Sequence, residues 1–165
     1  MNKTQVSVPF CRIVGVATPT SDSHIGFEVW LPPPRLGMAS ISRRTRAVQL
    51  ALSPPGAMEV ALTAGYATLA TDNGHVTDPN APNGTNEQGW ALGHPQKMVD
   101  FAWRPVHVSS VAAKNIVARF YGKKPSLSYF VGCSSGGRQA FMEATRFPGD
   151  FDGIVAGAPA WHWTN

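Results

Sequence analysis

Charge is scarce in this chain: Asp, Glu, Lys and Arg make up 15% of its 165 residues, and the net charge is only +4. The one tight basic cluster, Arg43, Arg44 and Arg46, has no aromatic residues interleaved with it, which argues against a nucleic-acid partner. No apolar run is long enough to cross a bilayer, so no membrane partner is expected. Residues 1–9 lack the apolar core of a signal peptide. Cysteines number two, Cys11 and Cys133, too few for a disulfide framework. Together with the histidines they show no ligand spacing, so neither a metal nor another cofactor is expected. There is no internal repeat and no linker, and the length suits one domain with a real core.

Sixteen glycines and fourteen prolines indicate many turns. Between them the apolar pattern alternates strand with helix. Cys11–Ala17 and Ile25–Leu31 read as two strands of an edge hairpin, joined by turn residues 19–23. Residues 56–63 have helical spacing and stop before Gly65, a suitable cap. Residues 66–70 form a short apolar strand that runs into Thr71-Asp72-Asn73-Gly74-His75. A parallel strand delivers polar residues to the ligand edge of a sheet, which makes Asp72 and His75 pocket candidates. Residues 76–93 read as an irregular loop. Val108, Val111, Ala112, Ile116 and Phe120 recur every three or four positions and predict an amphipathic helix over 106–120. Residues 153–156 give one more buried strand. The pattern implies an α/β fold with a mostly parallel sheet and helices on both faces.

The most informative segment is Tyr129-Phe-Val-Gly-Cys-Ser-Ser-Gly-Gly-Arg138. Gly132-Cys133-Ser134-Ser135-Gly136 fits G-x-S-x-G, the nucleophile elbow, in which a serine sits on a strained turn between strand and helix. The motif alone is weak, but its flanks fit. Leu127, Tyr129, Phe130 and Val131 make an apolar strand, and residues 138–147 are good helix formers that stop at Pro148-Gly149. Small neighbours are needed because the serine backbone takes an unfavourable conformation. Ser134 is therefore the candidate nucleophile, and the backbone N–H of Ser135 is a candidate oxyanion donor at the positive end of the following helix. The bland alternative is a glycine-rich turn without chemistry. Arg138 reads as a structural hydrogen-bond donor, and His24, His94 and His107 as surface histidines.

These motifs resemble the tannase and feruloyl esterase family of α/β-hydrolases. The likeness rests on Gly132-Cys133-Ser134-Ser135-Gly136-Gly137-Arg138, on Arg146-Phe147-Pro148 with residues 151–160, on Gly65 to Thr68 with residues 71–75, and on Cys11-Arg12 with Asp22 to Pro32. The resemblance implies hydrolysis of small-molecule esters of aromatic acids such as gallate or ferulate, through a Ser-His-Asp triad whose nucleophile is Ser134. It also implies a secreted or periplasmic location and a disulfide from Cys133 to a cysteine beside the catalytic histidine. No such partner cysteine is in this chain. The family's calcium site lies in a lid domain that residues 1–165 do not include, and the oligomeric state is left open.

Two departures qualify that implication. Downstream of Ser134 only Asp150, Asp152 and His162 have triad chemistry. Asp150 and Asp152 sit before a strand, at the wrong end of the sheet. The expectation is an α/β-hydrolase fold cut short after the strand that follows the nucleophile helix. Such a chain is the amino-terminal part of a catalytic domain and is impaired as an enzyme by itself. The rival expectations are a non-catalytic remnant and an α/β-hydrolase-like binding module. Trp161 and Trp163 are expected to cover apolar surface.

The second departure spans residues 35–55, where the family shows Trp-Asn-Gly-Lys and a glycine-rich loop with the second oxyanion donor. This segment is expected to be irregular, with a central strand lost. Codons for Gly37 to Ser42 can be chosen that read Trp-Asn-Gly-Lys-Tyr-Leu when shifted by one base. A pair of compensating frameshifts accounts for this; a diverged helical insert is the alternative. Sequencing the gene tests it: codons 36 to 42 should encode that hexapeptide out of frame, and any other out-of-frame reading rules the frameshifts out.

Overall fold

A computed structural model describes residues 8–33, 48–51, 55–76 and 89–160. Six strands form one sheet: β1 (Cys11–Ala17), β2 (Ile25–Leu31), β3 (Val48–Ala51), β4 (Ala67–Thr71), β5 (Ser128–Cys133) and β6 (Gly153–Gly157). Their order is β1-β2-β4-β3-β5-β6. The hairpin β1–β2 and the pair β2–β4 are antiparallel. The pairs β3–β4, β3–β5 and β5–β6 are parallel. Four helices connect the strands: α1 (Pro55–Thr63), α2 (Pro95–Ala102), α3 (Arg104–Tyr121) and α4 (Ser135–Arg146).

Strand alternation assigns the two faces. Along β2, Val29 and Leu31 point to one side and Trp30 to the other, as a period of two requires. On the first side Val29, Leu31, Leu69 and Phe130 pack against Val106, Ala113 and Val117 of α3 and Ala140 of α4. On the second side Trp30 meets Met58 and Leu62 of α1. Helices thus cover both faces. The α1 helix ends as its sequence suggests: Gly65 adopts a φ of 87°, and the N–H groups of Gly65 and Tyr66 return to the carbonyls of Leu62 and Ala61 at 2.9 and 3.0 Å. This is a Schellman cap, which needs the left-handed conformation that glycine takes most easily.

Three expectations are corrected. Residues 48–51 are not irregular: Val48–Ala51 is a central strand, bonded to β4 and β5 on either side. The short run Val48-Gln49-Leu50-Ala51 lies too close to Pro54 and Pro55 to stand out as a strand in sequence, but between two parallel partners its backbone groups are paired. The rest of the aberrant segment, residues 34–47 and 52–54, lies outside the described residues. The second correction concerns α3, whose buried residues are Pro105, Val106, Ser109, Ser110, Ala113 and Val117. Val111 and Phe120 instead remain 43% and 38% exposed. The helix therefore turns its small residues to the sheet, which permits close approach. Ser110 meets its hydrogen-bonding need locally, donating to the Val106 carbonyl at 2.5 Å. The third is α2, which lies where no helix was expected. It begins at Pro95, a residue suited to a first helical turn.

Leu69 is fully buried at the centre of the first face, in register with Val29 and Leu50 on its neighbours. Leu69→Ala is expected to destabilise the fold by ~2–5 kcal/mol, seen as a lower urea midpoint at unchanged slope. A loss well under 1 kcal/mol would show that this core is not packed as described.

Candidate active site

Ser134 occupies the junction between β5 and α4 with φ 57° and ψ −117°, a conformation that side-chain-bearing residues adopt only under constraint. Three backbone hydrogen bonds supply that constraint. The Ser134 N–H donates to Gly157 O at 3.1 Å, and the Ser134 carbonyl accepts from the N–H groups of Arg138 at 3.1 Å and Ala160 at 3.0 Å. The turn is thus tied to its own helix and to the end of β6. The glycines explain why it closes so tightly. A Cβ on Gly132 would overlap the Gly136 carbonyl, and one on Gly137 would overlap the Gly157 carbonyl.

The Ser134 side chain is exposed, on a cleft of about 290 Å³ whose described lining is Thr71, Asn73, Cys133, Ser134, Ser135, Gly136 and Gln139. Ser135 opens α4, so its N–H is among those with no acceptor inside the helix. It stands where the positive end of the helix dipole favours a developing negative charge. The arrangement offers a hydroxyl on a raised turn and a backbone donor beside it, the minimum for attack on an ester carbonyl.

Asp72 and His75, the expected pocket residues, are not among the described lining. Asp72 faces inward: its Oδ1 accepts from Gly26 N–H at 3.0 Å and Gly74 N–H at 2.8 Å. Burial raises its pKa above the ordinary carboxylate value, against those two bonds. His75 stacks on Trp90 with centroids 4.3 Å apart and meets Phe101 edge-on at 5.4 Å. β4 ends at Thr71, and the turn that follows brings Asn73 rather than Asp72 beside Thr71 on the cleft. Asn73 holds a φ of 62°, and its side-chain carbonyl accepts from Gln139 Nε2 at 2.8 Å. Gln139 is 3% exposed. Its signal in the sequence is a polar residue five positions after the nucleophile, among the apolar residues of the following helix.

Arg138 is a structural donor. Its guanidinium bonds the carbonyls of Ala102 and Phe101 at 2.9 and 3.0 Å and lies 4.7 Å above the Phe101 ring, so α4 is fastened to α2. Burial lowers its pKa. Cys133 borders the cleft; it and Cys11 are exposed, unpaired thiols. His24 is exposed. His94 is exposed and pairs with Asp22 at 2.6 Å. His107 departs from the surface role expected of it: half-buried, it stacks on Phe147 at 3.8 Å and pairs with Asp150 at 2.6 Å. Asp152 accepts from Ser128 N–H at 2.6 Å at the start of β5, far from the serine end of that strand. No described histidine lines the cleft; His162, with Trp161 and Trp163, lies outside the described residues. Among the described residues no helix is long and apolar enough to cross a membrane.

Comparison with known proteins agrees with this geometry. The family model described as tannase and feruloyl esterase matches residues 11–165. An uncharacterized esterase of Xanthomonas campestris is 39% identical over 156 residues, which are 94% of this chain and 26% of that protein. A probable feruloyl esterase B-2 of Neosartorya fischeri is 35% identical, with 97% of this chain and 28% of that one covered. Among solved structures, feruloyl esterase B from Aspergillus oryzae superposes with a TM-score of 0.76 at 34% identity, over 92% of this chain and 28% of that one. The chain spans under a third of the length of these relatives. With its strand order, its raised serine and a match over nearly all of its length, the chain has an α/β-hydrolase fold and belongs to the tannase and feruloyl esterase family.

Proposed function

We propose that this chain is the nucleophile-bearing, amino-terminal part of a serine carboxylic-ester hydrolase acting on small-molecule esters of aromatic acids, hydroxycinnamic or gallic. The observation that carries the reading is the strained, exposed Ser134 on a polar cleft. In this reading Ser134 Oγ attacks the ester carbonyl, and the Ser135 N–H holds the oxyanion. A histidine acting as base takes the serine proton and passes it to the leaving alcohol. The substrate class comes from the names of the feruloyl esterase relatives and neighbour. The histidine and its acidic partner belong, on this proposal, to sequence beyond residues 1–165, as does a cysteine for Cys133, and the whole enzyme is secreted or periplasmic. Without its base a serine hydroxyl is a weak nucleophile. The same absence of a histidine from the described lining favours a second reading for the isolated chain, a scaffold that binds but does not turn over.

An activated ester separates nucleophile from scaffold, because it acylates even a poorly assisted serine. After incubation with an aryl ester of ferulic acid, peptide mapping by mass spectrometry should find the feruloyl group on Ser134 and lose it in Ser134→Ala. Turnover of methyl ferulate by the chain itself should not exceed the ~10³–10⁴-fold over water that sites lacking a triad member retain. A feruloyl group found only on Cys133, or unchanged in Ser134→Ala, removes the nucleophile assignment.

A further inference from the structure

Away from the cleft, three side chains from separate elements converge: His107 on α3, Glu143 on α4, and Asp150 in the loop before β6. One donor atom from each lies within 4.8 Å of the others. Glu143 is 0% exposed, and neither of its carboxylate oxygens meets a hydrogen-bond donor. Its polar neighbour is the Asp150 carboxylate, which has no hydrogen to offer when ionised. Burial, the charge of Asp150 and a side-chain hydrogen bond shared with it push the Glu143 carboxyl up to about 8. A fully buried carboxyl group facing a second carboxyl needs a positive species between them, either a proton or a cation.

The surroundings favour a cation. The His107 ring stacks on Phe147 at an interplanar angle of 12°, so its plane is set. Its Nδ1 already lies 2.6 Å from Asp150 Oδ2. One imidazole and two carboxylates suit zinc-class ions better than magnesium or calcium, which prefer oxygen alone. We propose that His107, Glu143 and Asp150 form a binding site for a zinc-class divalent cation, with Glu143 as its buried anionic ligand.

Binding requires the side chains to draw together. Bonds of roughly 2.0–2.2 Å place tetrahedral neighbours about 3.3 Å apart. From 4.8 Å the outer separation closes by about 1.5 Å, while the His107–Asp150 contact opens. Lys114 is committed elsewhere: its ammonium donates to the Asp150 backbone carbonyl and lies 5.5 Å above the Phe151 ring. Its charge also favours the ionised form of Glu143. The side chains of His107 and Asp150 are 32% and 15% exposed, so an ion enters from solvent without unfolding. Once bound, it would pin the later turns of α4 to α3 and to the approach of β6.

The test is equilibrium dialysis of the full chain against zinc, with cobalt as a spectroscopic substitute. One zinc should be retained per chain, raising the melting temperature until a chelator removes it. Cobalt should show visible bands of nitrogen and oxygen ligation. Glu143→Gln keeps shape and burial but loses the charge, and should weaken binding by at least about tenfold. His107→Ala should do the same, and His94→Ala should leave binding unchanged. Retention unaltered by Glu143→Gln overturns the site. A sulfur-to-cobalt charge-transfer band also overturns it, by placing the ion on Cys11 or Cys133. So does a failure to retain zinc in excess metal, in which case a shared proton alone holds the pair.

Discussion

The structure depends on one strained residue. Ser134 holds a backbone conformation that costs on the order of 1–3 kcal/mol and persists only where its surroundings over-determine it. Here they do so from three directions: β5 delivers the residue, α4 donates the Arg138 N–H to its carbonyl, and Gly157 at the end of β6 accepts its N–H. The absence of side chains at Gly132 and Gly137 lets these parts come close enough to make the bonds. Strain at the serine and close contact among the glycines are one feature described twice.

The elements around this turn are held by contacts that cross large sequence distances. Arg138 fastens α4 to the end of α2 through the Phe101 and Ala102 carbonyls. Gln139 bridges the same helix to Asn73 beyond β4. Asp72 braces that strand end against Gly26 at the start of β2. Of the cleft's polar lining, Asn73 and Gln139 are thus bonded to each other, while Arg138 and Asp72 brace the elements behind them.

Much of this was legible in the sequence. The hairpin Cys11–Ala17 and Ile25–Leu31 was readable to the residue because turn residues bracket two alternating runs. The elbow was readable because its motif needs a strand before and a helix after, and both carry their own signals. What stayed hidden was set by tertiary context. The identity of the central strand at Val48–Ala51 comes from its two parallel neighbours rather than from its own four residues. On α3 the larger apolar residues Val111 and Phe120 drew the inferred stripe, whereas the sheet selected Ser109, Ser110 and Ala113 for their size. Asn73 took the cleft position expected of Asp72 because the chain leaves β4 at Thr71 and turns through Asn73 at a φ of 62°. The grouping of His107, Glu143 and Asp150 had no spacing to reveal it, since three elements contribute one residue each.

The rim strand β6 carries a consequence of its own. Among the described residues it is the last strand of the sheet, parallel to its neighbour, and its Val155 is 60% exposed beside Val131 at 37%. Parallel strands are ordinarily sandwiched between layers, and an uncovered apolar edge is a template for adding another strand. Among the described residues that margin is bare, so the backbone row that steadies the serine from below is also where further sheet could attach.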